Sequence, residues 1–156
     1  MQVTRQTIAA AFPVSGITVR TTNQSEQDPG SAKLAAHWGR FFAEELFDKI
    51  PGRLLESGMY GVYSAYESDH TGAFDVTAGA AVSATGAAAP WHTVEIQPGE
   101  YLVFKAKGAM PQVVIQTWGA VWQFFQDHPE VQRSYVTDFE AYLGPDEVAI
   151  HIGIKV

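Results

Sequence analysis

Apolar residues recur at helical spacing in two stretches of the chain and at alternate positions in several others. In Lys33–Ile50 the apolar positions Leu34, Trp38, Phe41, Phe42, Leu46 and Ile50 lie three and four apart and form one stripe. Ser31 suits the cap of this helix, and Pro51-Gly52 stops it. In Gln112–Gln126 the stripe is Val114, Trp118, Val121, Trp122 and Phe125, with Pro111 at the first turn and His128-Pro129 closing the segment. The rest reads as strands. Gln6–Phe12 continues past a Pro13–Gly16 kink into Ile17–Thr22. Met59–Glu67 and Phe74–Ser83 form a hairpin across turn-forming residues, Tyr101–Lys107 follows the Pro98-Gly99 turn, and Tyr135–Leu143 pairs with Glu147–Lys155. Asn23–Gly30 and the Ala-rich loop Ala84–Pro90 are expected to have little order.

The order strand, helix, strand, strand occurs twice. Phe12-Pro-Val-Ser-Gly16 matches Phe104-Lys-Ala-Lys-Gly108, and Tyr63-Ser-Ala-Tyr66 matches Phe139-Glu-Ala-Tyr142. We expect a duplicated βαββ unit, with copies at about residues 6–85 and 98–156 of a single 1–156 domain. Two such units predict an α+β fold: an antiparallel sheet, two long helices and a ligand cavity between the halves.

One residue breaks this internal match. In Tyr135–Tyr142, alternation puts Phe139, Ala141 and Leu143 on one face and Asp138, Glu140 and Tyr142 on the other. The first set suits a core, so Glu140 is expected on the face turned away from it. An acid there is either solvent decoration or the floor of a pocket. The aligned residue in the first copy is Ser64, and a single asymmetric ligand site would need such a difference.

Composition narrows the choices. Hydrophobic residues make up 46% of the 156-residue chain, enough for a real core. No cysteine is present, which removes disulfides, thiolate metal sites and cysteine nucleophiles and suits a reducing compartment. No stretch is long enough for a membrane span, so a cytoplasmic protein is expected. The net charge of −7, with ten scattered Lys and Arg, argues against direct nucleic-acid binding. Nucleophile-elbow and phosphate-loop motifs are absent. The five histidines have no metal-ligand spacing, so neither metal nor cofactor is expected.

Aromatic residues are plentiful: four Trp, six Tyr and nine Phe. Trp38, Trp118 and Trp122 lie on helix stripes, where a core role is the first reading. Trp91 lies in a loop, as a local plug or a pocket lid. Alternation places Tyr60 and Tyr66 on one strand face and Tyr63 on the other. A cavity walled by aromatics with one acid would prefer lipophilic cations.

Four stretches resemble the GyrI-like effector-binding superfamily: Phe12–Asn23; Gly61–Asp69 with Asp75–Gly79; Ile96–Phe104; and Asp138–Tyr142. That group includes ligand-binding domains of Rob- and BmrR-type transcription activators. It also includes stand-alone integron-associated effector-binding proteins, which this chain resembles most. The resemblance implies a hydrophobic ligand cavity between the halves and an acid at Glu140 that meets cationic or polar groups of the ligand. It also implies pocket tryptophans at Trp38 and Trp118. Activators of this kind carry a DNA-binding module ahead of the domain; here the chain starts at its first strand, so a sensing, sequestering or partner-mediated role is expected instead.

The expected function is therefore binding of a hydrophobic, cationic small molecule, as an effector-binding module of transcription-regulator type. The expected ligand-binding residues are Glu140, Trp38, Trp118, Trp91, Tyr60, Tyr66 and Tyr142. A homodimer or a partner regulatory protein would be its macromolecular company. The alternative is a hydrolase of electrophilic small molecules, with Glu140 as general base and a tryptophan orienting substrate. A third reading, a protein-binding modulator, would need an exposed apolar patch or sheet edge.

Overall fold

The computed structural model describes residues 2–83 and 88–156. Eight strands form one antiparallel sheet: β1 Gln2–Ile8, β2 Phe12–Thr22, β3 Met59–Ser64, β4 Ala73–Ala81, β5 His92–Ile96, β6 Gly99–Lys107, β7 Arg133–Gly144 and β8 Glu147–Ile154. The helices are a single turn α1 (Asn23–Glu26), α2 (Leu34–Ala43) and α3 (Gln112–Asp127), with a 3-10 turn at Leu46–Lys49. The fold is mixed α+β, as the patterning predicts.

The strands lie in the order β1-β6-β8-β7-β3-β4-β2-β5. Each half of the chain runs strand, strand, helical segment, strand, strand. Replacing β1–β4 by β5–β8, and the reverse, then reading the order backwards, returns the same order. The leading strand of each half is placed beyond the other half: β1 pairs with β6, and β5 pairs with β2.

The sheet buries both faces. On one face α2 covers Ile17, Ala78 and Ala80, and α3 covers Phe104, Val148, Ile150 and Ile152. On the other, Val14, Val62, Ile96, Tyr101 and Phe139 form a separate core, to which no helix contributes among the described residues. The two helices leave a seam above the central pair β3–β7.

Several local expectations are corrected. Gln6–Phe12 and Ile17–Thr22 are not one kinked strand. β1 ends at Ile8, and β2 runs unbroken through Pro13 and Gly16. Gly16 and Gly79 face each other in the β2–β4 register, and a Cβ on Gly16 would lie 1.8 Å from the Ala78 carbonyl oxygen. Only paired glycines permit so close an approach of two backbones.

The predicted helix Lys33–Ile50 ends at Ala43, because Glu45 adopts a left-handed backbone, φ 51°. Leu46 and Ile50 still reach the core, from the 3-10 turn and the residue after it. Ser31 does not cap α2. The Glu26 carboxylate does so, accepting from the backbone N–H of Lys33 at 2.9 Å and of Leu34 at 3.1 Å. Part of Asn23–Gly30 is thus ordered, as α1, which Thr22 caps through Ser25 N–H at 3.0 Å. Of the expected Ala84–Pro90 loop, residues 84–87 lie outside the described residues. β5, which follows it, has no counterpart among the expected strands.

In α3 the buried line is Val113, Thr117 and Val121: Val121 belongs to the apolar stripe, and Val113 and Thr117 each sit one position before a stripe residue. Thr117 tolerates this because its hydroxyl donates to the Val113 carbonyl at 2.6 Å. Trp118, Trp122 and Phe125 are half-buried beside that line.

Candidate functional site

β7 carries the two acids. Its register against β8 shifts between Arg133 and Asp138, and Tyr135 has φ 52°. This irregularity folds Arg133 back onto Asp138, giving a buried ion pair at 2.8 Å. Asp138 also accepts from the Tyr66 hydroxyl at 2.5 Å and the Gly153 N–H at 2.8 Å, so its charge is matched and its oxygens are occupied.

Glu140, two residues on, projects from the same face and is 2% exposed. Alternation alone turns that face away from the core. It points under the helices instead, because the sheet is covered on both sides. Phe139 and Ala141 fill the other core, while Leu143, expected inside, is 51% exposed.

No cation reaches Glu140 among the described residues. Its Oε2 accepts from the Trp118 indole N–H at 2.6 Å and the Tyr63 hydroxyl at 2.9 Å. Its Oε1 accepts from the Tyr142 hydroxyl at 2.8 Å. Burial is the largest influence and pushes the carboxyl above its ordinary range; the three donors pull it part of the way back. The same contact raises the Tyr63 and Tyr142 phenols, burial again leading and the Glu140 charge adding to it. Among the described residues, the Glu140 carboxyl group is thus met by neutral dipoles alone.

The backbone makes room for it. Gly61 on β3 is the direct cross-strand partner of Glu140. A Cβ there would lie 2.7 Å from Glu140 Oε1 and 2.9 Å from Trp38 Cζ2. Through this gap Trp38, on α2, comes down beside the acid, while Trp118 reaches it from α3. Trp38 meets Tyr142 edge to face at 5.7 Å, and Tyr63 meets Trp118 at 5.0 Å.

A cavity of about 190 Å³ adjoins Trp118 and Tyr63, bounded also by Tyr66, Phe74, Leu34 and Trp122.

The structure thus gathers Glu140, Trp38, Trp118 and Tyr142 in one cluster. Tyr66 stands beside it on Asp138. Strict alternation would have put Tyr66 with Tyr60. Ala65, at φ 50°, reverses the alternation and turns Tyr66 to the helix side, with Tyr63. Tyr60 stays on the opposite face, against Phe12 and Phe139 at 6.0 and 5.9 Å. Trp91 packs on the Ile17–Phe41 cluster, away from the acid. Ser64, matched to Glu140 in sequence, pairs with Asp75 and faces away from it.

Tyr63 is not among the residues expected from the sequence to bind a ligand. Its signal was the register: it sits across from Asp138, on the acid's own face. Among the described residues no group of three His, Cys, Asp or Glu side chains is placed to hold a metal. No described helix is long and apolar enough to cross a membrane.

A buried carboxyl group with no cationic partner among the described residues thus lies beneath aromatic rings, between the two long helices. The fold and the family comparison together place the chain in a class of small-molecule (effector) binding domains. The chain belongs to the Cass2 family of integron-associated effector binding proteins, whose model matches residues 9–154. It is 37% identical to an integron cassette protein from the mobile metagenome of Vibrio cholerae, covering 98% of this chain and 95% of that one with a TM-score of 0.83. The same fold occurs in SAV2435, solved bound to tetraphenylphosphonium, at 22% identity and TM-score 0.78 over 99% of this chain and 94% of that one. It also occurs in the C-terminal domain of EcmrR, at 14% identity and TM-score 0.65, covering 99% and 97%. No curated protein matches the sequence.

Proposed function

We propose that the protein binds hydrophobic organic cations, with Glu140 as the counter-charge and Trp38, Trp118, Tyr63, Tyr66 and Tyr142 as aromatic surface. The observation that carries this is the buried Glu140 carboxyl group, whose hydrogen-bond donors among the described residues are all neutral. A carboxylate about 4 Å from a cation gains on the order of 4 kcal/mol at an effective dielectric near 20. Each ring face adds roughly 0.5–2 kcal/mol. An anion of the same shape would meet the same rings and be repelled by the acid. Tetraphenylphosphonium, the ligand seen in SAV2435, is an apt probe of this chemistry. As a domain of the effector-binding class, the protein would sense or sequester such compounds and pass their presence to a regulatory partner.

The hydrolase reading lacks a comparable observation. Both Glu140 oxygens already accept hydrogen bonds, and no histidine contacts them among the described residues.

The test titrates tetraphenylphosphonium and tetraphenylborate, cation and anion of one shape, following tryptophan fluorescence. Wild type should favour the cation. Glu140→Gln should lower the affinity for the cation by about a hundred- to a thousandfold and so remove that preference. Equal affinities for the two ions in wild type would overturn the proposal, as would a preference that survives in Glu140→Gln.

A further inference from the structure

Two openings reach the hydrogen-bond donors of Glu140, one at Trp118 and Tyr63 and the other at Tyr142. The first is the small aromatic cavity at Trp118, which continues past Trp122 and Arg133 into an outer depression of about 670 Å³. The second is a groove of about 560 Å³ on the other side, between α2 with its 3-10 turn and the β7–β8 turn. Phe42, Phe47, Met59 and Tyr142 wall it.

Their charges differ. The first opening mixes Arg133, Lys155 and His70 with Asp69 and Glu26. The groove presents Glu45 and Asp48, with no Lys, Arg or His in its walls among the described residues. Asp48 has Arg53 at 3.9 Å, and that guanidinium covers one face of Phe47 at 4.4 Å. Glu45 has no ion-pair partner among the described residues. An organic cation is attracted to the groove and meets mixed charge at the other mouth. The groove also carries the exposed apolar surface such a guest needs: Phe42 is 56% exposed and Leu143 51%.

Tyr142 stands between the groove and the acid. Its ring forms part of the groove wall, and its hydroxyl bonds Glu140 Oε1. Trp38 abuts that ring, and Phe42 stacks on Trp38 at 6.0 Å and 28°. An aromatic path therefore runs from the exposed rim to the carboxylate, closed by one hydrogen bond.

We infer that this groove is the entrance for the cation and Tyr142 its gate: turning the hydroxyl away frees Oε1 for the incoming charge. The inference rests on the cation-binding reading of Glu140 and adds the side of approach and the element that moves.

Stopped-flow fluorescence with tetraphenylphosphonium tests it. Leu143→Lys puts a positive charge on the groove rim and should slow association roughly threefold at low salt, the difference closing near 1 M salt. Glu45→Gln should act in the same direction, and it covers the case in which Leu143→Lys does not fold. Gln126→Lys, at the rim of the opposite depression, should leave the rate unchanged. Tyr142→Phe should speed association, by up to about tenfold, because it removes a hydrogen bond to a charged group. A rate lowered by Gln126→Lys alone would move the entrance to the other mouth and overturn the inference. Rates indifferent to Leu143→Lys and Glu45→Gln would overturn it too, and an unchanged or slower Tyr142→Phe would remove the gate. Each of these results leaves cation binding intact. Wild type that binds no tetraphenylphosphonium at all would instead refute the cation reading, and the entrance with it.

Discussion

Acidification should weaken this fold through His151, and the size of the effect can be worked out. His151 is 8% exposed on the helix-free face, stacked on Phe139 at 4.1 Å and 12°, with Nδ1 3.2 Å from the Ala149 carbonyl oxygen. Burial pulls its pKa from 6.5 down to about 4, the backbone contact opposing this weakly. The unfolded chain therefore takes up a proton near pH 6.5 that the native protein refuses until about pH 4. Stability from this group is full above pH 6.5 and falls across that window. The loss is about 2 kcal/mol by pH 5 and about 2.6 kcal/mol by pH 4.5, since each tenfold difference in proton affinity is worth roughly 1.36 kcal/mol. His37, also lowered mainly by burial, adds to the same slope. Glu140 opposes it: its raised pKa means that its contribution is present at low pH and lost as pH rises through the native value. The absolute pH profile is a sum, so the measurement is a difference. Urea unfolding of wild type and His151→Gln at pH 7.5, 6, 5 and 4.5 should show the gap between them shifting by about 2–3 kcal/mol in favour of the variant as pH falls. A gap constant to within about 0.5 kcal/mol would show that His151 is not held neutral by its burial.

Three further perturbations probe the site and its supports. Gly61→Ala forces a methyl group against Glu140 and Trp38 and should destabilise the protein by about 1–3 kcal/mol while weakening tetraphenylphosphonium binding; thermal melting and titration would show both, and a neutral substitution would deny the close approach. Asp138→Asn strands the buried Arg133 and should cost about 3–5 kcal/mol, partly recovered by Asp138→Asn/Arg133→Met, so a double variant no better than the single one would contradict the pairing. Glu26→Ala removes the cap of α2 and the partner of the Thr21 hydroxyl, at 2.6 Å. It should cost about 1–2 kcal/mol in unfolding free energy, and full retention of stability would show that the α2 amides need no carboxylate.

Patterns with a local cause are readable from the sequence. The stripes at Phe41 and Val121 follow from helix periodicity, and the β7–β8 hairpin follows from alternation on either side of Gly144-Pro145-Asp146. Glu140 stands out because the matching segment lacks an acid. Patterns with a distant cause are not readable. Nothing near Gln2–Ile8 says that its partner is Gly99–Lys107, so β1 and β2 merge into one expected strand. Nothing near Phe139 says that both faces of its strand will be covered, so alternation assigns the acid to the outer face. The placement of Tyr66 turns on the backbone sign of one alanine, Ala65, which side-chain patterning does not record. The cap from Glu26 is hidden because it reaches α2 across the turn at Gly30 rather than from the position before the helix.

The strand order has a consequence in time. Of the eight strands β1 leaves the ribosome first, yet Gln2 pairs with Lys105 and Ile8 with Gly99. Until β6 has been synthesised, β1 has no place to dock. Meanwhile β2, β3 and β4 are already complete, and β5 then closes their outer edge. The first strand made should thus be among the last to settle, a delay that long-range pairing imposes on folding. During synthesis the domain trails an unpaired β-prone segment, whose capture by β6 fastens its first strand to its later half.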